Sequence, residues 1–195
     1  IPLFKNAFQF HKDKFVKLGT HSTNIDRINS FDHVIYAGSL GKYFRNDLNS
    51  FLQNSYLKNI ENYKDLELDN ILNKAQGLKV GISWKSFKNR YSSEKSLSLE
   101  DFENVFNINN SIIFNLQYGD VKDELKSFTK KQNYKIITLN NLDLFNNFSG
   151  LANVLKNLDL FVTVSNSTAH LASALGVRTI LIKPANHASF HYWDY

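Results

Sequence analysis

The sequence predicts an α/β fold in which a parallel β-sheet is covered by helices on both faces. From Leu78 onward, short apolar runs alternate with segments whose apolar residues recur at helical spacing. Short polar turns separate five predicted strands from four predicted helices. Parallel neighbouring strands need a crossover connection, and the helices supply it. The predicted architecture is therefore a Rossmann-like parallel sheet.

Five apolar runs are the predicted strands of this sheet. In chain order they are residues 78–84 (LKVGISW), 111–116 (SIIFNL), 134–139 (YKIITL), 159–164 (DLFVTV) and 179–182 (TILI).

Four helices are predicted between the strands. Ser98 is predicted to cap the first helix and Asp120 to open the second. Ser149 is predicted to cap the third, and the fourth runs from residue 168 to 175 and ends at Gly176.

The first 76 residues lack this alternation. Residues 31–36 predict one strand, and apolar positions between 48 and 56 predict one helix. Because this is too little for a domain, residues 1–76 are predicted to be the remnant of a preceding N-terminal domain with a linker near 63–77. Residues 77–195 are predicted to be the main domain, truncated at its carboxyl end. The chain contains no methionine, which predicts that it is part of a longer or processed protein.

Composition narrows the class of protein. The net charge of +5 comes from lysines mixed with acidic residues, so no basic tract points to a nucleic-acid partner. No apolar stretch approaches the roughly 18–20 residues of a transmembrane segment. The absence of cysteine excludes disulfides and thiolate zinc sites and fits a reducing compartment, so we expect a cytoplasmic location.

Several motifs of cofactor and metal chemistry are absent. The chain has no GxGxxG, no GxxxxGK[ST], no GxSxG and no Asp-x-Asp motif, and its six histidines are not at metal-ligand spacing. We therefore expect no metal and no cofactor.

Polar residues follow the predicted strands at the sheet edge where α/β proteins bind ligands. They are Lys85 and Ser86, Gln117 and Tyr118, Asp143, and Asn166, Ser167 and Thr168. The last group turns directly into a helix, whose free N–H groups and dipole favour phosphate. His170 in the first turn and the charge of Lys85 complete a predicted diphosphate pocket. Each residue also has a simpler interpretation, as a helix cap, a surface histidine or a solvated lysine.

The run 158–177 (LDLFVTVSNSTAHLASALGV) resembles a motif of the heptosyltransferase-like glycosyltransferases (glycosyltransferase family nine) and of related bacterial enzymes linked to tetratricopeptide repeats. Further matches to the tetratricopeptide-linked branch occur in the same order at 79–86, 96–102, 114–120 and 141–160. Residues 31–45 resemble the end of the family's N-terminal domain. Asn166 departs from the motif, which often has Asp there.

The resemblance implies a GT-B architecture in which this chain is the C-terminal, donor-binding half. It implies that Lys85 neutralises a diphosphate held by Ser167, Thr168 and His170. It also places Gln117 and Tyr118 near the base or ribose and Asp143 beside the sugar or ribose.

The function that follows is metal-independent transfer of a hexosyl, heptosyl or N-acetylglucosaminyl group from a nucleoside-diphosphate sugar to a glycan, lipopolysaccharide or protein acceptor. The general base is expected in the N-terminal domain, so the chain alone is expected to bind donor and catalyse little. Two alternatives stay open: a degenerate, non-catalytic module that binds nucleotide or a partner protein, and a nucleotide-sugar epimerase of the same fold.

Overall fold

The computed structural model describes residues 2–14, 28–36, 39–51, 54–57, 66–87, 92–132 and 134–185. The chain divides into two compact units, Ile1–Asn59 and Ile60–Tyr195. The helix Leu66–Lys74, within the predicted linker, belongs to the second unit. The assignment of the first part of the chain to an acceptor-side domain stays a prediction.

The first unit contains short helical segments. They are α1 (Pro2–Ala7), a 3-10 helix (Gln9–Lys14), α2 (Gly41–Phe44) and a second 3-10 helix (Leu48–Ser50).

Two sequence predictions in the first unit are wrong. The strand predicted over 31–36 does not form, because the described part of the first unit contains no strand with which it could pair, and its apolar side chains are exposed. The helix predicted between 48 and 56 is reduced to the 3-10 helix, which Asp47 caps by accepting a hydrogen bond from the Ser50 N–H at 3.0 Å. Residues 52 and 53 lie outside the described part.

The second unit contains a five-stranded parallel sheet, as the sequence predicts. Its strands are β1 (Leu78–Ser83), β2 (Ser111–Asn115), β3 (Ile136–Ile137), β4 (Leu160–Val164) and β5 (Thr179–Ile182). They lie in the order β3-β2-β1-β4-β5. This order reverses direction between β1 and β4, the point at which open α/β sheets form a ligand crevice.

Six α-helices and one 3-10 helix, Glu100–Phe102, accompany the strands in the described part of the second unit. In chain order, the α-helices are α3 (Leu66–Lys74), α4 (Ser92–Lys95), α5 (Glu103–Phe106), α6 (Lys122–Gln132), α7 (Phe148–Lys156) and α8 (Ser167–Leu175). Crossovers between parallel strands are right-handed. Because the strand order reverses after β3, α5 and α6 cover one face of the sheet, and α7 and α8 cover the other.

The core on the first face joins sheet and helices. Val80, Ile82 and Trp84 are buried against the aromatic side chains of Phe102 and Phe106. On the opposite face, Gly81 leaves room for a close approach, since a Cβ there would lie 2.5 Å from Leu158 Cδ1. The pattern of apolar residues therefore places a packed layer on each side of the sheet.

Helix ends follow local chemistry, and three predicted starts need correction. Ser98 donates to the Asp101 carboxylate instead of capping a helix, and α6 begins at Lys122 and not at Asp120. Asn147, not Ser149, caps α7, because its side-chain oxygen reaches the Gly150 N–H at 2.9 Å. The predicted end of α8 is confirmed: Gly176 adopts a left-handed conformation with φ of 73°.

Candidate functional site

The Gln117 side chain organises the carboxyl edge of the sheet. It follows β2 and is 2% exposed. Its Oε1 accepts hydrogen bonds from Ser83 Oγ at 3.1 Å, Trp84 N at 2.8 Å and Lys85 N at 2.6 Å. Its Nε2 donates to Tyr118 O at 2.7 Å and Lys85 O at 3.3 Å. This buried amide therefore replaces the strand partners that β1 loses where it leaves the sheet.

Asn166 connects the end of β1 to the start of α8. Its Oδ1 accepts from Ala169 N at 3.0 Å, which caps the helix. Its Nδ2 donates to Ser83 Oγ at 2.9 Å and to Lys85 O at 3.4 Å. An ionised aspartate could cap the helix but could not donate either of the last two bonds. Asparagine at this position thus fits the local hydrogen bonding.

Lys85 forms an ion pair that was not predicted from sequence. Its Nζ lies 2.5 Å from Glu124 Oε2, and Trp84 Nε1 donates to Glu124 Oε1 at 3.1 Å. Glu124 stands in the first turn of α6, 39 positions along the chain from Lys85. Acidic residues are common in first helical turns, so sequence alone gave no reason to single out Glu124.

The first turn of α8 carries the predicted phosphate-binding residues. Ser167 is exposed, whereas Thr168 is buried and 2% exposed. The first N–H groups of a helix and its dipole offer partial positive charge to an anion. The turn therefore presents the Ser167 side chain and backbone donors at the surface, with Thr168 beneath them.

His170 lies in the same turn and is exposed overall. The atoms around its ring still exclude enough water to lower its pKa below the ordinary 6.5, and the nearby charge of Lys95 lowers the pKa further. The neutral imidazole is accordingly the favoured form near pH 7, and the negative charge of a bound anion would raise the pKa again.

A cavity of about 500 Å³ opens beside this network, between the ends of β2 and β3 and the start of α6. Its lining includes Asn115, Gln117, Tyr118, Leu139, Asn140, Asp143 and Phe145. Binding sites for small organic ligands commonly fall in the range of roughly 300–1,000 Å³. Three residues predicted from sequence, Gln117, Tyr118 and Asp143, thus line the same cavity.

Three aromatic rings meet beside this cavity. Tyr118 lies between Phe87, at a ring-centroid distance of 5.7 Å, and Phe145, at 6.2 Å. Phe145 is 65% exposed. Neither phenylalanine was predicted from sequence. The available signal was that each stands within a few residues of the polar positions that follow β1 and β3.

Asp143 forms a local turn on the cavity wall. Its Oδ1 accepts from Phe145 N at 2.9 Å and Asn146 N at 3.0 Å, and its Oδ2 accepts from Asn146 Nδ2 at 2.9 Å. The Asn146 side-chain bond, followed by the two backbone bonds, lowers the pKa of this exposed carboxyl group. Asp143 is therefore a fixed, ionised acceptor.

Ser86 does not line this cavity. It is buried, and its N–H donates to Ser96 Oγ at 3.1 Å. The structure thus brings Lys85, Gln117 and Asn166 into one hydrogen-bonded network. Ser86 is bonded to Ser96 instead and stands outside this network.

The described residues hold neither a metal-ligand cluster nor a membrane span. No three His, Asp or Glu side chains there lie close enough to hold a metal ion. None of the helices in that part of the chain has the length and apolar content needed to cross a membrane.

Comparisons with known proteins give partial likenesses. No family model matches the chain. Protein FlbA of Caulobacter vibrioides is 29% identical over 113 residues, which cover 56% of this chain and 19% of FlbA. Two structures of the E. coli heptosyltransferase WaaC, one with ADP and one with ADP-2-deoxy-2-fluoro heptose, align with TM-scores of 0.44 at 16% and 17% identity. Each alignment covers 67% of this chain and 38% of WaaC. The chain therefore spans well under half the length of each of these proteins.

Proposed function

We propose that the carboxyl edge of the sheet is the donor site of a metal-independent glycosyltransferase, where a nucleoside-diphosphate sugar binds. One observation carries this proposal. Gln117 and Asn166 tie Lys85 to the cavity on one side and to the start of α8 on the other. The backbone of Lys85, a helix N-terminus and an organic-ligand cavity thus share a single hydrogen-bonded frame, and the Lys85 side chain adds a cation beside it.

The diphosphate is assigned to the space between Lys85 and the first turn of α8. Lys85 contributes a full positive charge, and the N–H groups near Ser167 and Thr168 contribute aligned dipoles. His170 adds a hydrogen-bond donor from the same turn. Gln117 and Asn166 have their amides engaged inside the protein, so we assign them the role of holding these donors in place.

The nucleoside is assigned to the cavity between β2 and β3. Its exposed aromatic rim, Tyr118 with Phe145, offers rings against which a base can stack. The ionised Asp143 can accept hydrogen bonds from ribose or sugar hydroxyl groups. The cavity volume of about 500 Å³ suits a ligand of this size.

The chemistry that this arrangement supports is leaving-group stabilisation. When the bond between the sugar's anomeric carbon and the diphosphate oxygen breaks, negative charge develops on that oxygen. Preorganised donors, here the Lys85 ammonium and the N–H groups of α8, stabilise the developing charge without reorganising. The acceptor, proposed to be a glycan, a lipopolysaccharide or a protein, would be deprotonated by a base from another part of the full-length protein.

A second candidate function is nucleotide binding without turnover, as a degenerate module. The observation that favours it is the ion pair between Lys85 and Glu124, since the cation is already compensated. In that case the site would hold a nucleotide or a partner protein and transfer nothing.

Chemical-shift mapping tests the location of the site. UDP, ADP and GDP would each be added to the 15N-labelled chain in EDTA. We expect one of them to move the amide resonances of 117–119, 138–145 and 166–170 together, while those of 77–79 and 110–111 stay in place. Shifts confined to other segments, with none at these three, would refute the donor site.

Turnover separates the two candidate functions. The matching nucleotide sugar would be incubated with the full-length protein, which includes the part expected to supply the base, and release of free nucleoside diphosphate would be followed over time. Slow hydrolysis that stops in Lys85→Ala supports an enzyme. Binding at the three segments without any release favours the degenerate module.

A further inference from the structure

The carboxylate of Glu124 is paired with the Lys85 ammonium group, the cation to which the proposed diphosphate would bind. We propose that Glu124 is a competing anion that sets the affinity of this site: the ligand phosphate must take Lys85 from Glu124 in order to bind. This inference rests on the proposed function, since it concerns the same site. It follows from the 2.5 Å contact between Lys85 Nζ and Glu124 Oε2.

The Glu124 carboxylate has a second anchor that does not depend on Lys85. Trp84 is fully buried, and its Nε1 holds Glu124 Oε1 at 3.1 Å. The position of Glu124 in the first turn of α6 is also favourable for a negative charge. When the flexible lysine side chain turns toward a phosphate, Glu124 therefore stays where it is.

The ion pair is accessible to a competitor. The side chains of Lys85 and Glu124 are 32% and 26% exposed, so an anion arriving from solvent can reach the ammonium. A fixed carboxylate beside that ammonium repels the phosphate and also retains part of the lysine's hydrogen bonding. Both effects weaken binding.

Glu124→Gln removes the negative charge of the side chain while keeping its size, and so tests the effect of the charge. The glutamine oxygen can still accept from Trp84 Nε1, and its NH2 group then replaces the oxygen that faces Lys85. The side chain keeps its shape, while the ion pair and the repulsion both disappear. We expect the nucleoside diphosphate to bind about fivefold more tightly to E124Q than to the native chain, the equivalent of about 1 kcal/mol.

Asp123→Asn is the matched control. Asp123 is an exposed carboxylate in the same turn of α6, and its replacement changes the net charge by the same amount. We expect D123N to change the affinity by less than about twofold, since exposed charges at longer range are screened. In the Lys85→Ala background, E124Q should keep only the part of its gain that comes from removing the repulsion between carboxylate and phosphate.

The test is a calorimetric titration of UDP, ADP and GDP into the full chain and its E124Q, D123N, K85A and K85A/E124Q variants. Tighter binding by E124Q alone supports the inference. If the native chain binds and E124Q binds equally or more weakly, Glu124 is a structural partner or a direct ligand contact, and the competition is refuted while the donor site stands. If neither the native chain nor E124Q binds any of the three, the donor site and the competition both fail.

Discussion

The two edges of the sheet use the same kind of ion pair in different surroundings. At the amino edge, Lys79 pairs with Asp159 at 3.0 Å, the Lys79 N–H donates to the same carboxylate, and the Asp159 N–H donates to Lys79 O. At the carboxyl edge, Lys85 pairs with Glu124, and the neighbouring backbone groups are satisfied by the amides of Gln117 and Asn166.

The two edges differ in the groups that satisfy the hydrogen bonds of the strand ends. One carboxylate and one main-chain hydrogen bond join the strands at the amino edge, and the Lys79 N–H is the largest cause of the lowered pKa of Asp159. Two side-chain amides organise the carboxyl edge, where a cavity of about 500 Å³ opens, compared with about 280 Å³ for a cavity at the amino ends of β2 and β3. The larger cavity and the partly exposed Lys85 ammonium make the carboxyl edge the better candidate for binding a ligand.

The largest expected effect concerns two glycines, one at each edge. A Cβ on Gly77 (φ +123°) would lie 2.1 Å from the backbone oxygen of Asn110, whereas one on Gly119 (φ +87°) would meet the Phe87 ring at 2.5 Å. Backbone cannot yield, but an exposed ring can. We expect Gly77→Ala to lower the free energy of unfolding by about 3 kcal/mol or more, and Gly119→Ala by about 1–2 kcal/mol.

Urea unfolding of both variants measures these losses. A larger loss in the free energy of unfolding for Gly119→Ala than for Gly77→Ala would contradict this difference between the two edges. Gly41→Ala, with nothing within 4 Å of its Cβ position and no positive φ, controls for the added methyl group.

The next effect concerns the buried amide of the carboxyl edge. Gln117→Met keeps the length of the side chain but removes the acceptor for Ser83 Oγ, Trp84 N and Lys85 N. We expect a loss of about 2–3 kcal/mol in the free energy of unfolding, because buried donors are left without a partner.

Asp159→Asn is the counterpart at the amino edge. It keeps an acceptor for the Lys79 N–H and should cost about 0.5 kcal/mol or less, as half-exposed ion pairs contribute little. Equal losses in Gln117→Met and Asp159→Asn, measured by urea unfolding, would contradict the account of how the two edges are closed.

The smallest effect is a pH dependence at His170. Its folded pKa is lowered, mainly by partial burial, so the unfolded chain binds more protons as pH falls through 6.5. Stability contributed by the neutral ring is present above pH 6.5 and is lost toward the lower, folded pKa. We expect His170→Gln to flatten this part of the stability-versus-pH curve, measured as the difference from the native chain. An unchanged slope would show that the imidazole is solvated in both states.

Much of the sheet was predictable from sequence because buried parallel strands read as apolar runs. The predicted bounds of β1, β2, β4 and β5 agree with the structure to within one residue. The third strand shrinks from a predicted six residues to Ile136–Ile137, the two positions that pair with β2. Apolar content alone also failed at 31–36, where no partner strand is described.

The site was predictable only where it is contiguous in sequence. Asn166, Ser167, Thr168 and His170 follow one strand and open one helix, so their proximity follows from the pattern. The contact between Lys85 and Glu124 depends on the position of the start of α6 relative to the end of β1, which the spacing of residues in the sequence does not determine. The roles of Ser86 and Gln117 could not be separated by sequence either, because both are polar residues after strands.

Binding of a nucleoside diphosphate is the most direct test of the central claim. The full chain, Lys85→Ala and the amino-edge control Lys79→Ala would be titrated calorimetrically with UDP, ADP and GDP in EDTA. We predict that one diphosphate binds with a Kd of about 0.1–1 mM, that K85A weakens it about tenfold, and that K79A changes it less than about twofold. Absence of binding by a folded chain, or equal losses in the two lysine variants, would contradict the assignment of the carboxyl edge as the donor site.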